Sequence, residues 1–569
     1  MKLTPLVILL VAITPAYAVV RVGDPKNPAA LQVEIMHAYL TGRSKITVRP
    51  GTYVMPAGAP LSLKTLTNFE IDAEGVTISQ SGAQDDVVTF TYCHNVRFQG
   101  ATLRYNSPLF HQGTITNVGS DADGPFYDVQ WQKGYATGAI PDLGVVIDRA
   151  THHLRFGSGD LLVKSQAPLN DKGLGRIHGE RGRNMAVGDE VVFRGSGGAL
   201  LRVNRCFHCT FVTLTFYWGG RDAILHTAGA ENRFEEIHLI AGPAPVGTRE
   251  RPLISTSARG FDCIGCRQGP LILNSTFEEC LDDGISIHGT YCQVDHAAGT
   301  NVVIGAAGST TDFQVGDRIR FTEPGTFSDT AAVTGVQKID WKPVQPSKLD
   351  AFKAGNLTYF QITTDHPVIT GFDWLADDLD ACGAGFQLID NTILNNRGRG
   401  IVIESGDGLV QDNTVDGAAM SGILLTTDPT SAESGDCWNI TVQGNTVKNT
   451  TGTTSQGVGI GVTGLNCTGN QQLRIAGNKL ENVAGTNLSV DGGNGVTVTD
   501  NVFRHPGQRP YPFGATPNAT PVVSLAHCED VSFTDNKIVD PGPHSHPILH
   551  FDRTAQGADE MTAGIVVVD

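Results

Sequence analysis

Two adjacent carboxylates, Asp282 and Asp283, interrupt the stretch "FEECLDDGISIHGTYC" (277–292), which otherwise reads as buried β-structure. Side chains of a regular strand alternate between faces, so both cannot point outward from one strand, and burying either unpaired is costly. The chain must bend there, or the pair must face a cleft. Clustered carboxyl groups suit general acid–base work: an inverting glycosidase holds two of them roughly 6.5–9.5 Å apart, one protonated against the leaving oxygen and one ionised against water. Each raises the other's pKa, which keeps one protonated near neutral pH. Asp262, in "ARGFDCIGC", lies 20 and 21 positions before the pair. Beyond the pair come His288 and Tyr291, both able to touch a sugar. Further on, "NNRGRGIVIES" offers Arg397, Arg399 and Glu404, and "SAESGDCWNI" offers Glu433 and Trp438. Arginine forks onto hydroxyls or carboxylates, and an indole stacks on a pyranose face. Each residue has a plainer role available, as a turn cap, a surface ion pair or a packed edge tryptophan; the clustering is the stronger sign.

The elements that would position these groups show in a repeat. From residue 385 onward a theme recurs, "FQLIDNTILNN", "GLVQDNTVDG", "NITVQGNTVKN", "LRIAGNKLEN", "VTVTDNVFRH" and "VSFTDNKIVD", with asparagines at 391, 413, 445, 478, 501 and 536. Steps of 22, 32, 33, 23 and 35 residues between them suit a β-solenoid whose extra length falls in loops. Asparagine at such a turn tolerates left-handed backbone and can hydrogen-bond its equivalent one coil away. "NVRFQGATLRY", "CTFVTLTFYW", "RFEEIHLI" and "LILNSTFEEC" extend the scheme toward the N-terminus, where "NPAALQVEIMHAYLTGRSKITVRPGTYVM" reads as an amphipathic helix and a first strand capping the open end. The architecture expected is a right-handed parallel β-helix with three stacked sheets. Since coils stack at roughly 4.8 Å, residues one repeat apart become neighbours, which brings Asp262 beside the 282/283 pair.

Two stretches break the repeat, each with a "VGD" turn before an apolar strand: "AVGDEVVFRG" and "QVGDRIRFTE". They read as inserted antiparallel β modules at 102–195 and 293–372, the second overhanging the acidic segment and barrel-like. The division expected is a signal peptide at 1–18, cap and first coils at 19–101, central coils at 196–292, and C-terminal coils and tail at 373–569.

The opening "MKLTPLVILLVAITPAYA" has one lysine, an apolar run too short to span a bilayer and a small-x-small ending, which marks a secretory signal and predicts an exported, soluble chain. Of 569 residues 67 are glycine and 17% are charged, and the net charge of −17 argues against nucleic acid and leans against polyanionic substrates. Eleven cysteines in an exported chain predict disulfides rather than zinc, although Cys206/Cys209 and Cys263/Cys266 form two CxxC pairs. Seven N-x-S/T sequons would carry glycans in a eukaryotic host.

"PLISTSARGFDCIGCRQGPLILNSTFEECLDDGISIHGTY", with the later "RGRGIVIES", "MSGILLTTD" and "ESGDCWNITVQGNTV", resembles glycoside hydrolase family 110. The likeness is strongest between about 250 and 450. It implies an exo-acting α-1,3-galactosidase with a parallel β-helix, inserted β-barrels and an inverting mechanism, in which Asp282 and Asp283 match the family's tandem pair. Where the family pattern carries Asp-Gly this chain has Arg259-Gly260, so Arg259 joins the substrate-binding candidates, and Asp262, three positions on and of opposite strand parity, takes the acid's place only if the chain bends.

The resulting expectation is a secreted exo-glycosidase that removes terminal α-galactose by inversion, with Asp282, Asp283 and Asp262 catalytic, no cofactor, no metal, a carbohydrate substrate, and neither nucleic acid nor membrane as partner. Two alternatives stand beside it. One is a polygalacturonase-like hydrolase or lyase on uronate polymers, with Arg397 and Arg399 holding carboxylates. The other is a non-catalytic glycan-binding β-helix, which Arg259 favours.

Overall fold

The computed structural model describes residues 20–568 apart from 142, 181–183, 308–311, 324–326, 344–346, 348–351, 353–356, 453–456, 465–469, 512–519 and 552–564. The expected signal segment therefore lies outside the described residues. Among them, no helix is long and apolar enough to cross a membrane.

The chain winds as a right-handed parallel β-helix. One row of strands runs Leu201–Asn204, Ile224–Thr227, Phe261–Ile264, Ile285–Thr290, Ile401–Glu404, Ile423–Leu425 and Ile460–Thr463, each parallel to the next. A second runs Thr210–Val212, Arg233–Glu235, Leu271–Leu273, Gln387–Ile389 and Gly408–Gln411. A third includes Thr276–Glu278, Thr392–Leu394 and Thr414–Asp416. The long strands Leu488–Thr499 and Val523–Thr534 pass through the first two rows and fuse them into one 24-stranded sheet; the third row is a separate sheet of 13 strands.

Most inward positions are apolar and stack with their equivalents. Phe211 and Phe234 lie face to face at 5.1 Å, and Phe261 meets Phe234 edge-on at 4.7 Å. At the N-terminal end, helix Leu31–Leu40 buries Leu31, Ile35 and Ala38, its one apolar stripe, and Gln32 accepts a hydrogen bond from Ser62 N at 2.9 Å.

The recurring asparagines form a buried ladder. Asn391 Nδ2 donates to Asn413 Oδ1 (3.0 Å), Asn413 to Asn445 (3.0 Å), Asn445 to Asn478 (3.0 Å), Asn478 to Asn501 (2.9 Å) and Asn501 to Asn536 (2.9 Å). Each Oδ1 also accepts the backbone N–H of the preceding rung, as in Asn391 N to Asn413 at 2.9 Å. The left-handed backbone falls one residue earlier than the sequence suggests, on Asp390, Asp412, Gly444, Gly477, Asp500 and Asp535. The asparagine itself is needed for its amide, which replaces the solvation its turn has lost.

Most of the described cysteines go against the disulfide expectation. Cys93, Cys206, Cys209, Cys263, Cys266, Cys280, Cys382 and Cys437 are free and buried. Most point into the coil interior, where they fill space as small apolar groups and donate weakly to carbonyls, as Cys437 Sγ does to Ile403 O at 3.2 Å.

Both insertions are closed six-stranded antiparallel barrels. The first runs from His111–Asp121 to Glu190–Phe193, because Thr102–Tyr105 still pairs with coil strands. The second opens at Cys292–Ala298 and needs Leu375–Asp378 to close it. In each VGD turn the aspartate caps the turn and takes an arginine: Asp189 pairs with Arg155 at 2.7 Å, Asp317 with Arg267 at 2.6 Å.

Candidate active site

The charged residues collect where the first strand row passes beneath the two barrels. Register explains it: Phe261 stands opposite Ile285 and Ile285 opposite Ile401, so the residues two places before each, Arg259, Asp283 and Arg399, occupy one column. Gly260 N donates to Asp283 O and Gly284 N to Arg399 O, which fixes the stacking. Asp222 begins the column, its carboxylate accepting Arg259 N at 3.1 Å. Charge alternates along the column: acid, base, acid, base.

Arg259 is the hub. Its Nη1 donates to Asp262 Oδ1 at 3.1 Å, its Nη2 to Glu433 Oε1, and its Nε lies 3.7 Å from Asp283 Oδ2. The bend expected of the chain is present, and Asp262 and Arg259 face each other across it. Asp262 also meets His288 Nε2 at 3.2 Å, while His288 Nδ1 faces Gly289 O at 2.6 Å. Burial alone would push the Asp262 carboxyl up, but Arg259 and His288 overcome it and hold it down at about 2. Burial alone would push His288 down; Glu433 and Asp262 raise it to about 9. Glu404, opposite His288 on the next coil, is driven up to about 8 by burial and then by Glu433.

The tandem pair divides. Asp283 is buried, accepting Arg399 N at 2.6 Å and facing Arg399 Nη1 at 3.4 Å. A Cβ on Gly398 would come within 2.3 Å of its carboxylate oxygen, so the glycine of the "RGRG" motif makes room for it. Asp282 has its side chain 36% exposed, with Arg397 Nη1 at 3.8 Å. Burial and then Asp283 push it up to about 6, against the pull of Arg259, Arg397 and Arg399. Two aspartates are thus tolerated side by side because the turn sends one into an arginine cradle and leaves the other at the mouth.

Each barrel reaches toward this floor. From the first, Asp160 grips Arg397 through both carboxylate oxygens. From the second, Arg320 joins Asp377 at 2.8 Å and also holds Asp436, three residues beyond Glu433. Strand Glu433–Ser434 pairs antiparallel with Gly289 and Thr290, which carries Glu433 back over the site. Tyr291 corrects an expectation: it is buried, its hydroxyl 3.0 Å from Thr427, and it packs with Phe352 and Leu375 instead of facing a sugar. Trp438 is 42% exposed and lies against Gly406, two residues past Glu404. Asp160 and Asp222 were not anticipated from the sequence.

A second polar cluster sits inside the coil. The two CxxC pairs lie two coils apart: Ala230 N donates to Cys206 O, and Arg267 N to Gly229 O. His226 joins the second pair, with Nδ1 3.6 Å from Cys263 Sγ and 3.5 Å from Cys266 Sγ. The Asn232 amide accepts from Cys209 N (2.8 Å) and donates to Cys206 O (2.7 Å), so it presents N–H to His226 Nε2 at 2.8 Å. With Nε2 accepting, the ring hydrogen lies on Nδ1, facing the sulfurs where a metal would have to sit. The donor set fits a hydrogen-bonded thiol cluster better than a metal centre.

Residues 379–545 match the family model described as a right handed beta helix region. The chain is similar to alpha-1,3-galactosidase B of Parabacteroides distasonis, 23% identical over 209 residues, 35% of this chain and 33% of that protein. It is also similar to alpha-1,3-galactosidase B of Phocaeicola vulgatus, 25% identical over 210 residues, 35% and 33% of the two chains. The alignment thus spans about a third of the length of these curated relatives. They bear out the resemblance to glycoside hydrolase family 110. Among solved structures, the catalytic unit of the GH87 alpha-1,3-glucanase of Streptomyces thermodiastaticus overlaps 98% of this chain and 68% of its own at 11% identity, with a TM-score of 0.38, too loose a fit to bear on chemistry.

Proposed function

We propose that this protein is a glycoside hydrolase that removes terminal α-linked galactose from glycans with inversion, acting after export. The observation that carries the reading is the division of the tandem pair: the Asp282 side chain is 36% exposed, while Asp283 is locked beneath it. Asp282, with its raised pKa, is the general acid that protonates the glycosidic oxygen. Glu433, held by Arg259 and carried over the site by its pairing with Gly289 and Thr290, is the base that activates water. Arg259 holds Asp283 and Glu433 on two sides of one guanidinium, and inversion needs the acid and base apart with room for water between them. Asp283, Asp262 and His288 position the two through Arg259, and Arg397 and Arg399 shape the substrate pocket. The sequence relatives, themselves named alpha-1,3-galactosidase B, supply the substrate class.

A second reading, glycan binding without hydrolysis, is favoured by Arg259 itself, which occupies three carboxylates that a hydrolase would otherwise have free. Purified protein incubated with aryl α- and β-glycosides and with oligosaccharides ending in α-1,3-galactose separates the two. Release of galactose with the β-anomer formed first supports hydrolysis. Binding with no sugar released supports the second reading, and neither rejects both.

A further inference from the structure

A cleft of about 460 Å³ opens between the first barrel and the C-terminal coils, lined by His153, Phe156, Thr451, Asn482, His505 and Arg509 among others. Its size falls within the roughly 300–1,000 Å³ of small-molecule sites. It lies on the same face as Arg397. Ala419 N donates to Asn396 O and Thr451 N to Ala418 O, so Arg397, Ala419 and Thr451 hold one place on three successive coils. Two coil steps put Thr451 roughly 10 Å along the axis from Arg397. One strip of the barrel walls both places: Asp160 grips Arg397, and three residues earlier Gly157 N donates to Thr451 O at 3.3 Å.

The lining has the chemistry of a sugar site. The Arg509 guanidinium lies 5.4 Å from the Phe156 ring centroid, which sets a donor fork beside an apolar ring. Asn482 and Asn449 hold each other at 3.2 Å and offer further amide positions. Thr451 is 8% exposed, and its hydroxyl has no hydrogen-bond partner among the described residues. A buried hydroxyl without a partner is costly.

We infer that this cleft is a distal saccharide subsite, which takes a sugar of the same glycan whose terminal residue occupies the pocket at Asp282. The inference rests on the proposed function for the identity of the proximal site but not for the cleft's own binding. Two substrates test it, an aryl α-galactoside that reaches only the proximal site and an oligosaccharide of four or more sugars ending in α-1,3-galactose, each with wild type, Arg509→Ala and Phe156→Ala. The expected result is a KM for the oligosaccharide raised about tenfold or more, with kcat and the aryl galactoside kinetics unchanged. Equal effects on both substrates, or none on either, overturn it. If no substrate is hydrolysed, calorimetric binding replaces kinetics. Affinity for the oligosaccharide that exceeds that for free galactose and is lost in Arg509→Ala upholds the subsite while the hydrolase reading falls. Equal affinity in both proteins rejects the subsite as well.

Discussion

Arg259 Nε stands 3.7 Å from Asp283 Oδ2, on neighbouring coils, and the same guanidinium holds Asp262 and Glu433. One buried cation thus compensates three carboxylates. Removing it leaves charges that cannot reach water, and breaking a buried pair from one side typically costs about 3–5 kcal/mol. Arg259→Met should therefore lower the melting temperature sharply, whereas Arg221→Met, on an exposed arginine beside the same column, should shift it little. Equal melting of both variants would show that the hub bears no such burden.

Asp282→Asn should cut turnover by about 10²–10⁴-fold while leaving circular dichroism and melting close to wild type. Asp283→Asn should lose both activity and stability, since it breaks the Arg399 cradle. A stable, fully active Asp282→Asn protein would remove Asp282 from the chemistry.

The pH profile follows from the same assignment. As the acid, Asp282 must be protonated, so kcat/KM should fall about tenfold per unit as pH rises beyond about 6, and the fall should vanish in the residual activity of Asp282→Asn. A profile flat from pH 5 to 8 would contradict this.

Stability carries its own pH signature. His288 is raised in the fold, so its contribution is complete below its unfolded value near about 6.5 and is lost as pH climbs through about 9. Asp262 is depressed, so its contribution is present above an unfolded value near about 3.9 and disappears as pH falls toward about 2. Thermal melts of His288→Gln should lose the alkaline component selectively; an unchanged alkaline limb would assign it elsewhere.

The ladder should be as sensitive as the site. Asn413→Ala strands Asn391 N–H and Leu388 O, at about 1–3 kcal/mol for each buried group left unpaired. Lys479→Ala, at an exposed strand position of the same coils, should stay within about 0.5 kcal/mol. Urea unfolding midpoints compare the two directly, and equal midpoints would deny the ladder its role.

Much of this was legible in the sequence for a physical reason. A solenoid repeats its environment every coil, so one demand, such as an amide in a dry turn, is written six times between Asn391 and Asn536 and becomes visible. The site is written once. Asp282 and Asp283 stood out because no strand tolerates both. Asp160 did not, because it meets Arg397 across 237 residues and through an insertion that has no repeat to align. Asp222 could have been found by setting "RDAIL" under "RGFDCI" and "DDGISI", which exposes the charge column. Tyr291 was misread because an overhanging module is legible in the sequence but the packing of Phe352 and Leu375 against this ring is not. The thiols were misread because composition cannot distinguish a cysteine waiting for a partner from one serving as a small apolar side chain.

The two columns of polar side chains differ in symmetry, and this limits how the molecule can change. In the asparagine ladder every rung is the same, so a duplicated or deleted coil would splice in with each amide still meeting its like. The Asp222, Arg259, Asp283, Arg399 column repeats only every second coil. Copying one coil there sets acid against acid or base against base, with both buried. Gene rearrangement can therefore lengthen or shorten the C-terminal half one turn at a time, while the turns under the barrels can be gained or lost only in pairs.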